Sequence, residues 1–308
     1  MRNFKNTVHV EGYVFGHTLE KRVSAKGVEY IRGDIQVAVD EDALNVVSVS
    51  YIYEVENFNS GAANSKWPVL MKIIEDNATY QEKGKNAMKV RIDSAIGIND
   101  FIGRDGNMVS AKRAEGGFIH EVIGTPNFGA TFDVDMLIAG VAEKENEDDN
   151  DYLTIRGYVF NFRNDLIPVE FNVRDKGGIK YFQDADISNS NPMLTNLWGK
   201  IISTTIETKQ EVESAWGAPS VNISTRTVRS WDLVGCAVNP MEVWDEMTIT
   251  QDEFKAKMQT RQEHLADVKQ RYEDYQASRN NSFAGVDLPF DGKPKSKNSP
   301  TSMADFEF

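Results

Sequence analysis

Arg156, Tyr158, Phe160 and Phe162 alternate along residues 152–163, with Ile155, Gly157 and Val159 between them and Arg163 next in the chain. Alternate residues of a strand share a face, so this stretch predicts three rings and a guanidinium on the side away from the core. The chemistry open to such a face is recognition, not bond-making. Flat rings accept the π-faces of unstacked bases at about 1–3 kcal/mol per base, and guanidinium groups between them neutralise phosphates. Packing beneath a loop or a second domain would use the same rings, and both readings stand.

Two further sets have the same character. Tyr30 and Arg32 precede Tyr51 and Tyr53, and Lys21, Arg22 and Lys26 lie just upstream. Val47 and Val49 share the parity of those two tyrosines, so that ring face is as readily the buried one. Arg174, Lys176 and Lys180 follow the 166–174 segment, with Tyr181 and Phe182 beside them, and read as a mixed basic and aromatic loop.

Signatures of catalysis are missing from the sequence. There is no phosphate-cradling Gly-x-x-x-x-Gly-Lys-Ser/Thr run. His9, His17, His120 and His264 are scattered, without metal-ligand spacing. Asp133 and Asp135 read as a solvated strand edge, and the lone Cys236 as an apolar filler. The expectation is a protein that is not an enzyme, with no cofactor and no metal.

The elements that must position these faces are mostly strands. Residues 7–15, 29–39 and 45–55 alternate, with Val8, Val10, Gly12 and Val14, then Ile31, Gly33, Ile35, Val37 and Val39, facing inward. Trp67, Leu70, Met71 and Ile74 recur at helical spacing, with Pro68 in the first turn. Strands near 88–102 and 107–123 follow, joined by the turn Gly103-Arg104-Asp105-Gly106-Asn107. Three strands, a helix and two strands is the order of an OB-fold, whose second and third strands form the usual ligand face. The order repeats at 130–142, 152–163, 166–174, 199–212 and 221–238, with a short helix expected around Met193–Trp198. The fold class is therefore mainly β: two OB-like five-stranded barrels (1–125 and 126–245), a C-terminal α-helix (246–280) and a disordered tail (281–308).

Two echoes bear on the duplication. Gly12–Phe15 recurs at Gly157–Phe160, and Ile31-Arg32-Gly33 recurs at Ile155-Arg156-Gly157. The first would align the opening strand of one barrel with residue 157 and leave 130–142 without a role. The second puts both tripeptides on the second barrel strand, and we take it as the register. Gly33 and Gly157 are then expected where the sheet bends sharply.

Composition bounds the rest. The 308 residues carry a net charge of −13, which opposes phosphate binding in bulk. The acid is unevenly placed, however, as in Asp40-Glu41-Asp42 and residues 143–151, so the local faces must decide. No run approaches the ~20 apolar residues of a membrane span. A single cysteine and a polar N-terminus fit a cytoplasmic protein, or the host cytoplasm for a phage-encoded one.

Thr250-Gln251-Asp252-Glu253 is a capping box. Phe254, Met258, Arg261, Leu265, Val268, Tyr272 and Tyr275 then follow at spacings of four and three, a heptad seam broken at Arg261. Glu253/Lys257 and Asp267/Arg271 add pairs four residues apart. The seam fits packing on the second barrel, with self-association into a homo-oligomer as the alternative. Beyond Ser278 the periodicity is lost, yet Asp287-Leu288-Pro289-Phe290 and Asp305-Phe306-Glu307-Phe308 keep apolar side chains among carboxylates, a plug for a partner's pocket.

This tail resembles that of bacterial and phage single-stranded DNA-binding proteins, which end in acidic residues and a phenylalanine, often as Asp-Leu-Pro-Phe. Here that tetrapeptide is internal, the terminal one lacks the proline, and Lys293, Lys295 and Lys297 dilute the acid. A phage-type relative with two barrels fits better than the one-barrel bacterial form. The resemblance implies sequence-tolerant binding of single-stranded DNA and recruitment of replication or recombination enzymes through the tail. Two other expectations remain open: a β-rich virion or assembly protein whose rings are subunit contacts, and a replication accessory factor that never touches DNA.

Overall fold

The computed structural model describes residues 3–144, 152–212, 216 and 220–283. The acidic stretch at 145–151 and the tail segments Asp287–Phe290 and Asp305–Phe308 lie outside the described residues. In chain order the first half comprises β1 (Asn6–His17), β2 (Glu20–Val23), β3 (Glu29–Ala38), β4 (Val46–Val55), α1 (Trp67–Asp76), α2 (Tyr80–Lys83), β5 (Lys89–Ile102) and β6 (Met108–Glu121). The second half comprises β7 (Gly129–Lys144), β8 (Tyr152–Phe160), β9 (Leu166–Val173), α3 (Lys176–Asp184), β10 (Met193–Val212), β11 (Ser220–Cys236) and α4 (Gln251–Phe283).

Both halves close. β1 pairs with β3, β3 with β4, β4 with β6 in parallel, β6 with β5, and β5 with β1. β7, β8, β9, β11 and β10 repeat that ring, again with one parallel pair, β9–β11. These are the two OB-like barrels expected, with β2 an added strand on the edge of the first. The alternation holds: Val8, Val10, Val14, Ile31, Ile35 and Val37 are all at most 1% exposed.

α1 seals one end of the first barrel through Trp67, Leu70 and Ile73. Its counterpart in the second barrel is α3, not a helix at 193–198, where β10 begins. The Asp175 carboxylate caps α3 by accepting from the Gly178 N–H at 2.9 Å, and Phe182, 4% exposed, fills the barrel end. Gly177 and Gly178 hid this helix, because two glycines in a first turn weaken its sequence signal.

The tripeptide echo marks the right strand but not the register. The β1–β3 ladder shifts just beyond the pair Val14↔Val37, and the β7–β8 ladder just beyond Ile138↔Gly157. Gly157 therefore matches Val37, while Gly33 lies four residues earlier on its own strand. What the barrels share is a close crossing next to this shift. A Cβ on Gly12 would stand 1.8 Å from the Ala38 carbonyl oxygen, and one on Gly157 2.0 Å from that of Leu137. The glycine falls on the first strand in one barrel and on the second in the other.

The barrels are joined by antiparallel pairing of β1 with β7, from Asn6↔Val134 to Glu11↔Gly129. One hydrophobic cluster runs through both, Val8 and Val10 with Phe132 and Val134. Asn6 braces the junction: its Nδ2 donates to the Ile96 and Phe160 carbonyls at 3.1 and 3.0 Å, and its Oδ1 accepts from the Ile96 N–H at 2.8 Å. From β6, Lys112 crosses to the second barrel, donates to the Glu170 carbonyl and lies 4.5 and 4.8 Å from the Phe171 and Trp231 ring centroids. Burial pushes its ammonium from 10.5 down to about 7, with Glu170 and Asp232 pulling the other way.

α4 straps both barrels. Its capping box forms, Thr250 N–H to Glu253 Oε2 at 2.9 Å and Glu253 N–H to Thr250 Oγ1 at 3.3 Å. Phe254 packs edge-on to Tyr158 and Trp244. Lys257 reaches Asp165 at 2.7 Å. Arg261, the break in the seam, grips the Asp100 carboxylate of β5 through two hydrogen bonds of 2.9 and 2.6 Å, with both side chains at most 12% exposed. The half of the seam from Phe254 to Arg261 thus packs in cis. Burial pushes the Asp100 carboxyl up, but hydrogen bonds from Arg261 and Ser110 more than offset it and hold the group below its ordinary value.

Three predictions arise here. Gly157→Ala should cost about 2–4 kcal/mol by overpacking a backbone crossing, whereas Gly140→Ala, with nothing within 4 Å of its Cβ, should be close to neutral; urea unfolding followed by circular dichroism separates them. Arg261→Met should cost about 3 kcal/mol at neutral pH by stranding a buried carboxylate. Because the folded Asp100 value is depressed, the stability it gives is lost as pH falls through that value. The gap between wild type and Arg261→Met should therefore narrow below about pH 4. For Lys112 the sign is opposite: from about pH 7 upward to its unfolded value, the unfolded chain holds a proton the folded chain has released. Unfolding free energy should rise across that window, and Lys112→Met should flatten the rise.

Candidate nucleic-acid interface

The first barrel brings part of its predicted set together. Arg22 pairs with Tyr30 in the β2–β3 ladder, and Glu20 with Arg32. The Tyr30 and Tyr53 rings lie 4.6 Å apart at 31°. Arg22 hydrogen-bonds Glu20 and Tyr30, and the Glu20 contact, at 2.5 Å, is the larger cause of its raised pKa. Arg32 is exposed and Tyr53 is 51% exposed. Lys21 stands on the same strand, paired with Glu29 at 2.8 Å. Val23, Val28, Ile52 and Phe58 are also exposed on this part of the barrel.

Tyr51 does not join them. It is 2% exposed, inside the barrel, and burial raises its phenol pKa. The reason is a bulge: Ile31 pairs with Glu54 and Gly33 with Tyr51, so Arg32 faces two residues, Ile52 and Tyr53. One extra residue reverses the parity of the strand, sending Tyr51 in and Tyr53 out.

The second barrel divides its predicted face. Arg156 and Tyr158 are half-buried, and Phe160 is fully buried. The cover comes from the N-terminal segment and from the first turns of α4. Phe4 stacks on Phe160 at 4.0 Å and 20°, and Phe254 of α4 meets Tyr158 at 5.6 Å and 72°. Two hydrogen bonds hold the N-terminal segment there: the Asp135 N–H donates to the Lys5 carbonyl and the Lys5 N–H to the Asp135 carboxylate, each at 2.7 Å. Tyr158 and Phe160 are therefore packing residues, and Arg156 is paired with Glu170 at 2.8 Å. The N-terminal segment carries no sequence signal that it crosses this face, whereas the seam of α4 fitted packing on the second barrel.

Phe162 and Arg163 lie beyond the cover, in the β8–β9 turn. Phe162 is 80% exposed, with the Arg163 guanidinium 4.9 Å from its centroid. Arg174 stands 4.7 Å over the Tyr152 ring and bonds Asp232 at 3.0 Å. Lys176 and Lys180 are exposed, but on α3 and not on a loop. Cys236 is only half-buried; burial pushes its thiol up, opposed by a hydrogen bond with Tyr181.

Phe162 also borders a cleft of about 1270 Å³ between the barrels and α4, lined by Asn6, Phe118, Lys257, Arg261 and His264 among others. Phe118, 61% exposed, escapes a reading by alternation. Asp93 pairs with Phe118 and Ala95 with Glu115, so Gly116 and Gly117 bulge opposite Ser94, at φ 63° and 92°. A glycine pair inside a strand was the available signal. The cleft's cations are matched by acids, Arg261 by Asp100 and Lys257 by Asp165, so it offers rings and apolar walls more than free positive charge. Among the described residues no cluster of His, Cys, Asp or Glu could hold a metal ion, and no helix is long and apolar enough to cross a membrane.

Two solved structures of similar shape are a deletion mutant and the wild-type form of the single-stranded DNA binding protein from Thermus aquaticus. Both are 10% identical to this chain, with TM-scores of 0.47 and 0.44; they cover 80% and 79% of it and 99% and 98% of their own lengths. Likeness at that level is too coarse to transfer a function. No curated protein matches the sequence. The family model YorF matches residues 5–271, almost the whole of both barrels and most of α4, and the chain belongs to the YorF family.

Proposed function

We propose that the chain binds single-stranded DNA with little sequence preference, stacking bases on exposed rings and neutralising phosphates with arginine and lysine. The observation that carries this reading is the Tyr30–Tyr53 ring pair with Arg22 and Arg32 beside it. It lies on the second and third barrel strands, the face that barrels of this order use for oligonucleotides. On the other barrel, Phe162 with Arg163 before β9 and Arg174 with Lys176 and Lys180 after it supply two further basic and aromatic patches, at opposite ends of that strand. Binding through such groups needs no catalytic residue.

The working units of this reading are the barrels of residues 1–125 and 126–245, the helix of 246–280 and the tail of 281–308. The tail, through Asp287-Leu288-Pro289-Phe290 and Asp305-Phe306-Glu307-Phe308, recruits replication or recombination enzymes by offering phenylalanines among carboxylates. The exposed Val23, Ile52 and Phe58 around the first ring pair favour a second reading, in which that face is an assembly contact with another protein.

Fluorescent oligo-dT at two salt concentrations separates the two. Wild type should bind, with a log–log salt slope of about −0.7 per phosphate contacted. Tyr30→Ala/Tyr53→Ala should weaken binding roughly tenfold or more while leaving the fold intact. Phe160→Ala should instead cost about 3–5 kcal/mol of stability, as a buried ring does. No binding by wild type, or equal affinity in the tyrosine variant, would favour the assembly reading.

A further inference from the structure

The seam of α4 continues past the barrels. Arg261 and His264 are the last of its residues tied to β5, the His264 ring 3.4 Å from Asp100. Further along, Gln270 bonds Asp274 and Arg271 pairs with Asp267, contacts within the helix. Leu265, Val268 and Tyr272 are partly exposed there and Tyr275 is 60% exposed. At about 1.5 Å per residue, this stripe runs roughly 15 Å from Leu265 to Tyr275.

Charge is sorted around it. At about 100° per residue, His264, Lys269 and Arg271 flank the stripe, while Glu263, Asp267, Glu273 and Asp274 lie toward the opposite side. Two copies joined along this seam would set cation against cation at the flanking positions, which opposes pairing. A strand of nucleic acid meets the same surface with phosphates for the cations and π-faces for the two tyrosines. The stripe is also continuous with the inter-barrel cleft, because Lys257, Arg261 and His264 of the same helix face line it beside Phe118 and Phe162.

We propose that α4 from His264 to Tyr275 extends a single-strand track out of the cleft, Tyr272 and Tyr275 stacking bases and Lys269 contacting phosphate; this rests on the single-strand reading above. The two parts of the track divide the work. The cleft, whose cations are already matched, takes bases, and Lys269 on the helix beyond it supplies the phosphate contact, Arg271 being held by Asp267 and His264 lying against Asp100.

The test compares wild type with Tyr272→Ala/Tyr275→Ala and with Lys269→Glu, on a short oligo-dT sized for the first barrel's face and on one several times longer. Alanine is the stronger helix former, so the double variant should stay folded, as circular dichroism would verify. Both variants should bind the short oligonucleotide as wild type does. On the long one the double variant should bind roughly tenfold more weakly, and Lys269→Glu should flatten the salt slope by about 0.7. Unchanged affinity for the long oligonucleotide overturns the proposal. So does a wild-type dimer in sedimentation equilibrium that the double variant dissociates, which would make the stripe a seam between copies. Binding of an acidic, phenylalanine-containing peptide to wild type but not to the double variant, with no competition from oligo-dT, also overturns it, in favour of a peptide partner. Wild type that binds neither oligonucleotide removes the single-strand reading itself, an outcome distinct from a helix that merely plays no part.

Discussion

The antiparallel pairing of β1 with β7 is the constraint on which the rest of the molecule depends. The opening strand of each barrel closes its own ring on two sides and still gives part of its length to the other barrel. The rings therefore share one hydrophobic cluster in place of two. With this seam in place, Asn6 can bridge β5 and β8, Lys112 of β6 can reach β9, and Asn45 of the first barrel can accept from the Ser203 N–H of the second at 2.6 Å.

That junction also explains why the two barrels present different faces to solvent. On the first, the β3–β4 outer surface is left open, and the bulge at Ile52–Tyr53 turns one tyrosine outward beside Tyr30. On the second, the rings Tyr158 and Phe160 lie at the other end of the second barrel strand, beyond the Gly157 that matches Val37, and there the N-terminal segment and α4 bury Phe160 and half-bury Tyr158. Near-identical topology thus yields one exposed ring surface and one covered one. What the second barrel keeps open has moved to its margins, at Phe162, Arg163 and the rim of the cleft.

Much of the fold was legible because barrel strands obey a short-range rule. Period-two burial placed Val8, Val10, Ile31 and Ile35 inside without knowledge of their partners, and the order of strands then suggested the ring. α3 was not legible, since Gly177 and Gly178 weaken its propensity and its cap depends on one Asp175 carboxylate. The candidate site was legible in composition and only partly in orientation. Tyr30 and Arg32 do lie on the outer face that alternation gave them, but Phe160, read as facing outward, is buried, and Tyr51 and Tyr53, given one shared face, point to opposite sides. A bulge inverts alternation wherever it occurs, and nothing within a strand reports what will be laid across it.

Sequence alone determined the period of each strand, the helical spacing and capping box of α4, and the local mixture of rings and cations, because each is a property of residues a few positions apart. Tertiary structure decided which rings reach solvent. Phe4 and Phe160 are far apart in the chain yet stack at 4.0 Å, and Arg261 breaks an apolar seam only to meet Asp100 on the other barrel. Exposure is a property of the neighbours that arrive on folding, and those neighbours are chosen by the β1–β7 seam, not by the strand on which the ring sits.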